Sequence, residues 1–473
     1  MKVLEQETGD LEARGREQVP VGFVPTPTRE YRTHRKSMKT TIEPGLPTGP
    51  IPIPIPIPLL TGPRVLIWKQ DPSVAEIGVR KAYIPSYVLT GPQDAQVKIK
   101  IPPDLDASVV KNAMGDFIET PGTEEFDYVH TFSIVRQTLT MYERALGGIK
   151  LPWQWNSSSN TDPLNVFPRA GVTANAFYSR TLKALKFFYF TPQGKPTVHT
   201  CQSLDIVSHE TGHAVLDALK PSWLLANNPP QTGGLHESFG DLTAIFLALS
   251  QMDQVEAIIA QTKANLHNKT FLADLAEEFG LALGRPNGLR NADNDLKLSQ
   301  VGTEVHAISQ VFTGGIYDIL ADIFASEREW GRKDDARVLY EAGQYMCSLV
   351  LRSFIQAPDI GATFADVVNK MLQICAWDGK PVNYRNFIRN RFTVREVVVS
   401  PTPLTQDIEE GVTLEPVVQE VTMGPQDRST CCGTMQLDEY LGMEEIIQSQ
   451  VDEIKRFVKK GAISEAISQY RAH

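Results

Sequence analysis

His209 and His213 stand four residues apart in the run SLDIVSHETGHAVLDAL, whose apolar residues recur at helical spacing, and this pairing constrains the chain more than any other feature. On a helix, positions i and i+4 share one face a turn apart, so the two imidazoles converge while Glu210 projects beside them. Such a pair suits a zinc ion but is an incomplete set, because a catalytic zinc usually takes three protein ligands and leaves a fourth position open. The third ligand is expected from a nearby element. The run GGLHESFGD supplies Glu237 after a Gly-Gly break, at the start of the next helical segment, with Asp241 four residues on. The Asp241 carboxylate is expected to accept the free ring N–H of His209 and so set its tautomer.

Composition narrows the setting for this pair. The 473 residues are 42% hydrophobic and 22% charged, ordinary values for a soluble globular chain. Forty-six basic against 56 acidic side chains leave a formal charge of -10, so nothing attracts nucleic acid or an anionic membrane face. The longest strongly apolar run free of charge, Leu242 to Met252, falls short of the roughly 20 residues that a spanning helix needs, and no membrane span is expected. The first residues mix both charges around no apolar core, so no signal peptide is read; a cytoplasmic location is the default, with non-classical export left open. Cys201, Cys347, Cys375, Cys431 and Cys432 have no regular spacing, which fits a reducing compartment better than a disulfide framework.

Four segments are expected. Residues 1–60 form a flexible Pro-rich tail, with proline at every second position from Pro50 to Pro58, where neither helix nor central strand can form. Residues 61–205 read as a strand-rich lobe in the alternating runs RVLIWKQ, YIPSYVLTG and QVKIKIPP, a helix over Phe126 to Gly147, and a strand at ALKFFYF. Residues 206–397 read as a helical lobe carrying the histidine pair, and 398–473 as an extended linker followed by an amphipathic helix. The tail or the last helix could meet a protein partner. The fold class is therefore α+β.

Taken together, HETGH and GGLHESFGD resemble the thermolysin-like zinc metallopeptidases, the gluzincins whose third ligand is a glutamate on the following helix. The resemblance implies a two-lobed zincin with one Zn2+ held by His209, His213 and Glu237, and Glu210 as general base. ANAFYSR is similar to the family segment that leads into a substrate-binding edge strand, which implies that Asn175 and the backbone of Ala176 hold a peptide or protein substrate. GLRNADND resembles the segment with a substrate-carbonyl-binding arginine, here Arg290, beneath a pocket for an apolar side chain. VHAISQVFTGGIYDIL resembles the helix start carrying the histidine that binds the tetrahedral intermediate, here His306, so that His306 and Glu210 are the catalytic pair.

Departures from the family stand beside these matches. No tyrosine lies between His213 and Glu237, and Trp223 is the nearest substitute donor. His236 occupies a position where the family usually has asparagine, and it either backs His213 or faces solvent. The aspartate partner of the oxyanion histidine is replaced by Val301, with Glu304 the only nearby acid. Asp205 matches the first position of the family's paired-calcium cluster, but Ala248 stands where a further carboxylate belongs, which weighs against structural Ca2+. The leading expectation is a zinc metalloendopeptidase. A zinc-stabilised scaffold or binding module with weak or lost peptidase activity, and a hydrolase of a non-peptide amide, are the alternatives.

Overall fold

A computed structural model describes residues 62–418, apart from 226–227 and 286–287. The expected tail (1–60), the Cys431–Cys432 pair and the amphipathic stretch after Asp438 lie outside the described residues.

The alternating runs pair early. Strands β1 (Arg64–Trp68) and β2 (Val79–Tyr83) form an antiparallel pair in register Arg64↔Tyr83 to Trp68↔Val79, with Val65 and Ile67 buried from alternate positions. The strand expected over YIPSYVLTG does not form beyond its first residue, Tyr83, which closes β2, because Pro85 has no N–H to extend a ladder. After β3 (Val97–Ile99) comes helix α1 (Glu124–Ala145), capped by Thr123, whose hydroxyl accepts from the Phe126 amide at 3.2 Å.

Strands β4 (Leu164–Phe167), β5 (Ala176–Ser179) and β6 (Ala184–Phe187) join β3 in one sheet of order β3-β4-β6-β5. The neighbours β3, β4 and β6 run parallel, and β5 lies antiparallel to β6 at the edge. The run ALKFFYF divides after Phe187, where β7 (Tyr189–Phe190) leaves the sheet to pair with β8 (Val198–His199).

Helices dominate from there. Helix α2 (Leu204–Leu219) starts at Ser203, whose hydroxyl accepts from the Ile206 amide, and ends before Pro221. Helix α3 (Pro230–Leu249) opens with proline in its first turn, where the missing N–H costs nothing. Its start corrects the expectation of a Gly-Gly break, since Gly233 and Gly234 lie inside the helix. A Cβ on Gly234 would stand 2.7 Å from Ile308 Cγ2 and 3.1 Å from Phe364 Cζ, so close packing, not termination, requires glycine there.

Helix α4 (Met252–Thr262) leads to β9 (Asp274–Leu275), α5 (Glu277–Ala282) and β10 (Arg290–Asn291), with Arg290 opposite Leu275 in the β9–β10 pair. Helix α6 (Val305–Glu327) buries Ile308, Val311, Phe312, Ile316, Ile319 and Ile323 at steps of three and four, each worth roughly 1.5–3 kcal/mol. Helices α7 (Asp335–Gln356), α8 (Phe364–Trp377) and α9 (Val382–Val394) follow, and then a short pair, β11 (Val398–Val399) with β12 (Glu415–Pro416).

Between its two short strands the stretch 398–418 is turns and loop, yet it is tied down. Ile408 and Leu414 are buried, and Arg389 donates to the carbonyls of Leu404 and Gln406 at 2.8 Å each. One hydrophobic cluster runs from Val65 to Leu414, so strands and helices share a core. Among the described residues no single helix is long and apolar enough to cross a membrane.

Candidate metal centre

Helices α2 and α3 pack closely enough to bring the two halves of the site together. A Cβ on Gly240 would stand 2.6 Å from both Cε1 and Nδ1 of His209, so the His209 ring fills the space that glycine leaves on α3. His209, Glu210, His213 and Glu237 are all buried. His209 Nε2 lies 3.6 Å from Glu237 Oε2, and His213 Nε2 lies 3.6 Å from Glu237 Oε1.

That spacing is too long for hydrogen bonds. It is close to the span between donors that share a tetrahedral ion at about 2.0–2.2 Å. Both Nε2 atoms are buried without a hydrogen-bond partner, a costly arrangement unless a cation completes them. The residues therefore fit a divalent metal. A ligand atom of Glu210 also lies within 4.8 Å of those of the two histidines, but Glu237 reaches both nitrogens more directly.

Further polar contacts surround these side chains. His209 Nδ1 lies 3.0 Å from Asp241 Oδ1, and Arg290 grips Asp241 through Nε at 3.0 Å and Nη2 at 2.6 Å. Arg290 is thus engaged with the acid behind His209. His236 does not face solvent. Its Nδ1 lies 2.8 Å from His213 Nδ1, and both rings are fully buried.

At the head of α6, His306 points Nε2 to within 3.5 Å of Glu237 Oε2, and Glu304 holds its Nδ1 at 2.5 Å. Val301 is thus not the loss that the departure from the family implied. Trp223 is not a substitute for the missing tyrosine, since its buried indole N–H donates to the Pro358 carbonyl at 3.0 Å.

Electrostatics favours positive charge at the point where the ligands meet. Burial works against charging His209, but the hydrogen bond to Asp241 and the Glu237 carboxylate 3.6 Å away outweigh it and lift the imidazole to about 10. Burial likewise opposes charge on Glu237, yet the neighbouring His306, His213 and His209 hold it well below the carboxylate range. Burial pushes Glu210 up to about 8, tempered by His209. Neither of its oxygens makes a hydrogen bond of normal geometry, although the Tyr178 backbone lowers it weakly. Burial drives His236 down to about 3, with Arg180 among the charges that oppose its protonation.

The edge strand lies against the histidine helix. Tyr178 Oη donates to Asp217 Oδ2 at 2.6 Å, and Arg180 Nε meets the same carboxylate at 3.0 Å, one turn beyond His213. Asn175, just before the strand, turns its Oδ1 to the Ala176 amide at 2.9 Å. A narrow cavity beside the centre is lined by Ile206, Leu275, Leu289, Asp205, Glu210 and Arg290, and its free space is about that of one water. A space of that size admits no larger apolar group unless its walls move.

Sequence reasoning missed the acids that gather at Asp205. Asp71 and Asp205 are buried, and the amides of Glu278 and Ala276 donate to them at 3.0 and 3.1 Å. Burial, then the Asp71 charge, raises Glu277 and Glu278 to about 7 each. Asp71 is too distant in the chain for any local pattern to join it to Asp205, so Ala248 alone was a poor guide to the acidity of this corner.

A second group, His267, Asp293 and Asp318, also has ligand atoms within 4.8 Å of one another. It is internally satisfied, since His267 Nδ1 meets Asp293 at 2.8 Å and Arg395 pairs with Asp318 at 2.9 Å. No protein-family model matches the chain, and no curated protein does.

Proposed function

We propose that this chain is a zinc-dependent endopeptidase of the thermolysin-like kind, with peptide or protein as substrate. One observation carries the reading: two histidine nitrogens with no hydrogen-bond partner and a buried carboxylate face a common point, 3.6 Å from nitrogen to oxygen on each side. Bound zinc supplies a Lewis acid that polarises a carbonyl and lowers the pKa of water towards about 7.

Glu210 is the general base. Its burial raises its proton affinity, so it takes the proton from the attacking water and passes it to the leaving amine. His306, oriented by Glu304, donates from Nε2 to the oxygen on which negative charge develops. Arg290 steadies Asp241 and through it His209. Among the described residues strand β5 has a sheet neighbour on one side only, which suits it to receive an extended peptide on the other.

The full chain is expected to carry one zinc, to cleave an unfolded protein, and to lose that cleavage to a chelator and regain it with zinc. A zinc-loaded, folded chain that leaves a broad peptide library intact would overturn the proposal. The narrow cavity beside Arg290 favours the second reading, a zinc-stabilised scaffold. Such a scaffold binds the metal equally well and cleaves nothing.

A further inference from the structure

His213 and His236 meet through like atoms, Nδ1 against Nδ1 at 2.8 Å, with ring centroids 4.8 Å apart. A hydrogen bond contains one hydrogen, so one of these nitrogens is protonated and the other bare. His213 Nε2 is the atom that faces Glu237, and a ligating nitrogen must be bare. A neutral imidazole carries a single N–H, which places the proton of His213 on Nδ1. His236 Nδ1 must then accept it, and His236 keeps its own proton on Nε2. That nitrogen is buried without a hydrogen-bond partner. The residue is therefore held by what its Nδ1 accepts and by packing, not by what its Nε2 donates.

We propose that His236 is a positioning residue that locks His213 in the Nδ1–H tautomer and so presents the Nε2 lone pair to a divalent metal, a role that rests on the metal-centre reading above. His209 is backed by a carboxylate, whereas His213 is backed by a neutral ring. The Asp241 charge is balanced by Arg290, and Glu237 is the carboxylate that lies between His209, His213 and His306. A neutral acceptor behind His213 adds no further anion, and a bound divalent ion keeps net positive charge for polarising a substrate carbonyl.

Asparagine tests the idea cleanly, because its Oδ1 and the Nδ1 of histidine are both bonded to Cγ and place an acceptor at the same point. In the full chain, His236→Leu is expected to weaken zinc binding about 10- to 100-fold in chelator competition. His236→Asn should stay within about threefold of the parent, by the same scale of outer-partner effects. The visible spectrum of the cobalt-loaded form should be kept by His236→Asn and altered by His236→Leu. Zinc-loaded chain labelled with 15N-histidine should show N–H at Nδ1 of His213 and at Nε2 of His236.

Unchanged zinc affinity in His236→Leu, or a proton on Nδ1 of His236 in the labelled parent, overturns the assignment while leaving the metal centre intact. If His236→Leu does not fold, His236→Asn and the labelled parent still decide. Failure of the parent chain to bind one zinc removes both readings together.

Discussion

Glu304 and His306, two residues apart at the head of α6, share one carboxylate between a helix cap and an imidazole. Glu304 Oε1 stands 2.5 Å from His306 Nδ1, and the two oxygens accept the His306 and Ala307 amides at 3.1 and 2.8 Å. Burial would raise this carboxyl, but the hydrogen bond and charge of His306 hold it below its ordinary value. The acid expected further upstream is thus supplied from the cap position itself, where it serves the helix terminus as well.

Replacing Glu304 separates those two duties. Glu304→Gln keeps an oxygen for the cap but loses the charge behind His306, so kcat on a peptide should fall about tenfold or more, with KM little changed. Glu304→Ala should add a loss of about 1 kcal/mol in unfolding free energy from the missing cap. Equal kcat for the parent and Glu304→Gln would show that His306 needs no anionic partner.

Glu210→Gln would remove the proposed base and leave the proposed ligands. Zinc content should be unchanged while kcat falls by about two to four orders of magnitude. Full turnover in this variant would exclude Glu210 as the proton acceptor.

Two glycines on α3 should fail in different ways. Gly240→Ala drives a methyl into the His209 ring, and zinc affinity should drop roughly 10-fold or more as the ligand is displaced. Gly234→Ala instead crowds Ile308 and Phe364, costing about 1–3 kcal/mol of stability with zinc affinity retained. Calorimetry and metal titration on both variants check the contrast, which is lost if both lose metal alike.

The acidic corner at Asp205 should make stability fall with rising pH. Burial, reinforced by Asp71, lifts Glu277 from 4.5 to about 7, so its protonated form is favoured by the fold. Its contribution is fully present below 4.5 and is lost as pH rises through about 7. Glu278 acts in the same direction over the same range. In chelator, the Tm of the parent should therefore decline between about pH 5 and pH 8, and more gently in Glu277→Gln. Parallel pH profiles for the two proteins would sink this account.

Local rules reached far in this chain. Helical spacing brought out α2 with His209 and His213 on one face, and α1, α3 and α6 within a few residues of their ends. Period-two alternation found β1 and β3 but missed β2, which precedes the expected run YIPSYVLTG and shares only Tyr83 with it. These features depend on neighbours along the chain, and the order of residues determines them unaided.

Only packing between distant segments decided the rest. The gap that lets α3 approach α2 is the missing Cβ of Gly240, filled by a ring 31 positions earlier in the chain. The same approach turned His236, equally compatible with solvent by sequence, into the partner of His213, and the segment after α7 took up the Trp223 indole through Pro358. Asp71 joined Asp205 and Glu277 through the meeting of a strand connection, a helix start and a loop. Side-chain type and spacing specify which groups a short segment offers. Burial and three-dimensional proximity, which set hydrogen-bond partners and proton affinities, belong to the folded chain alone.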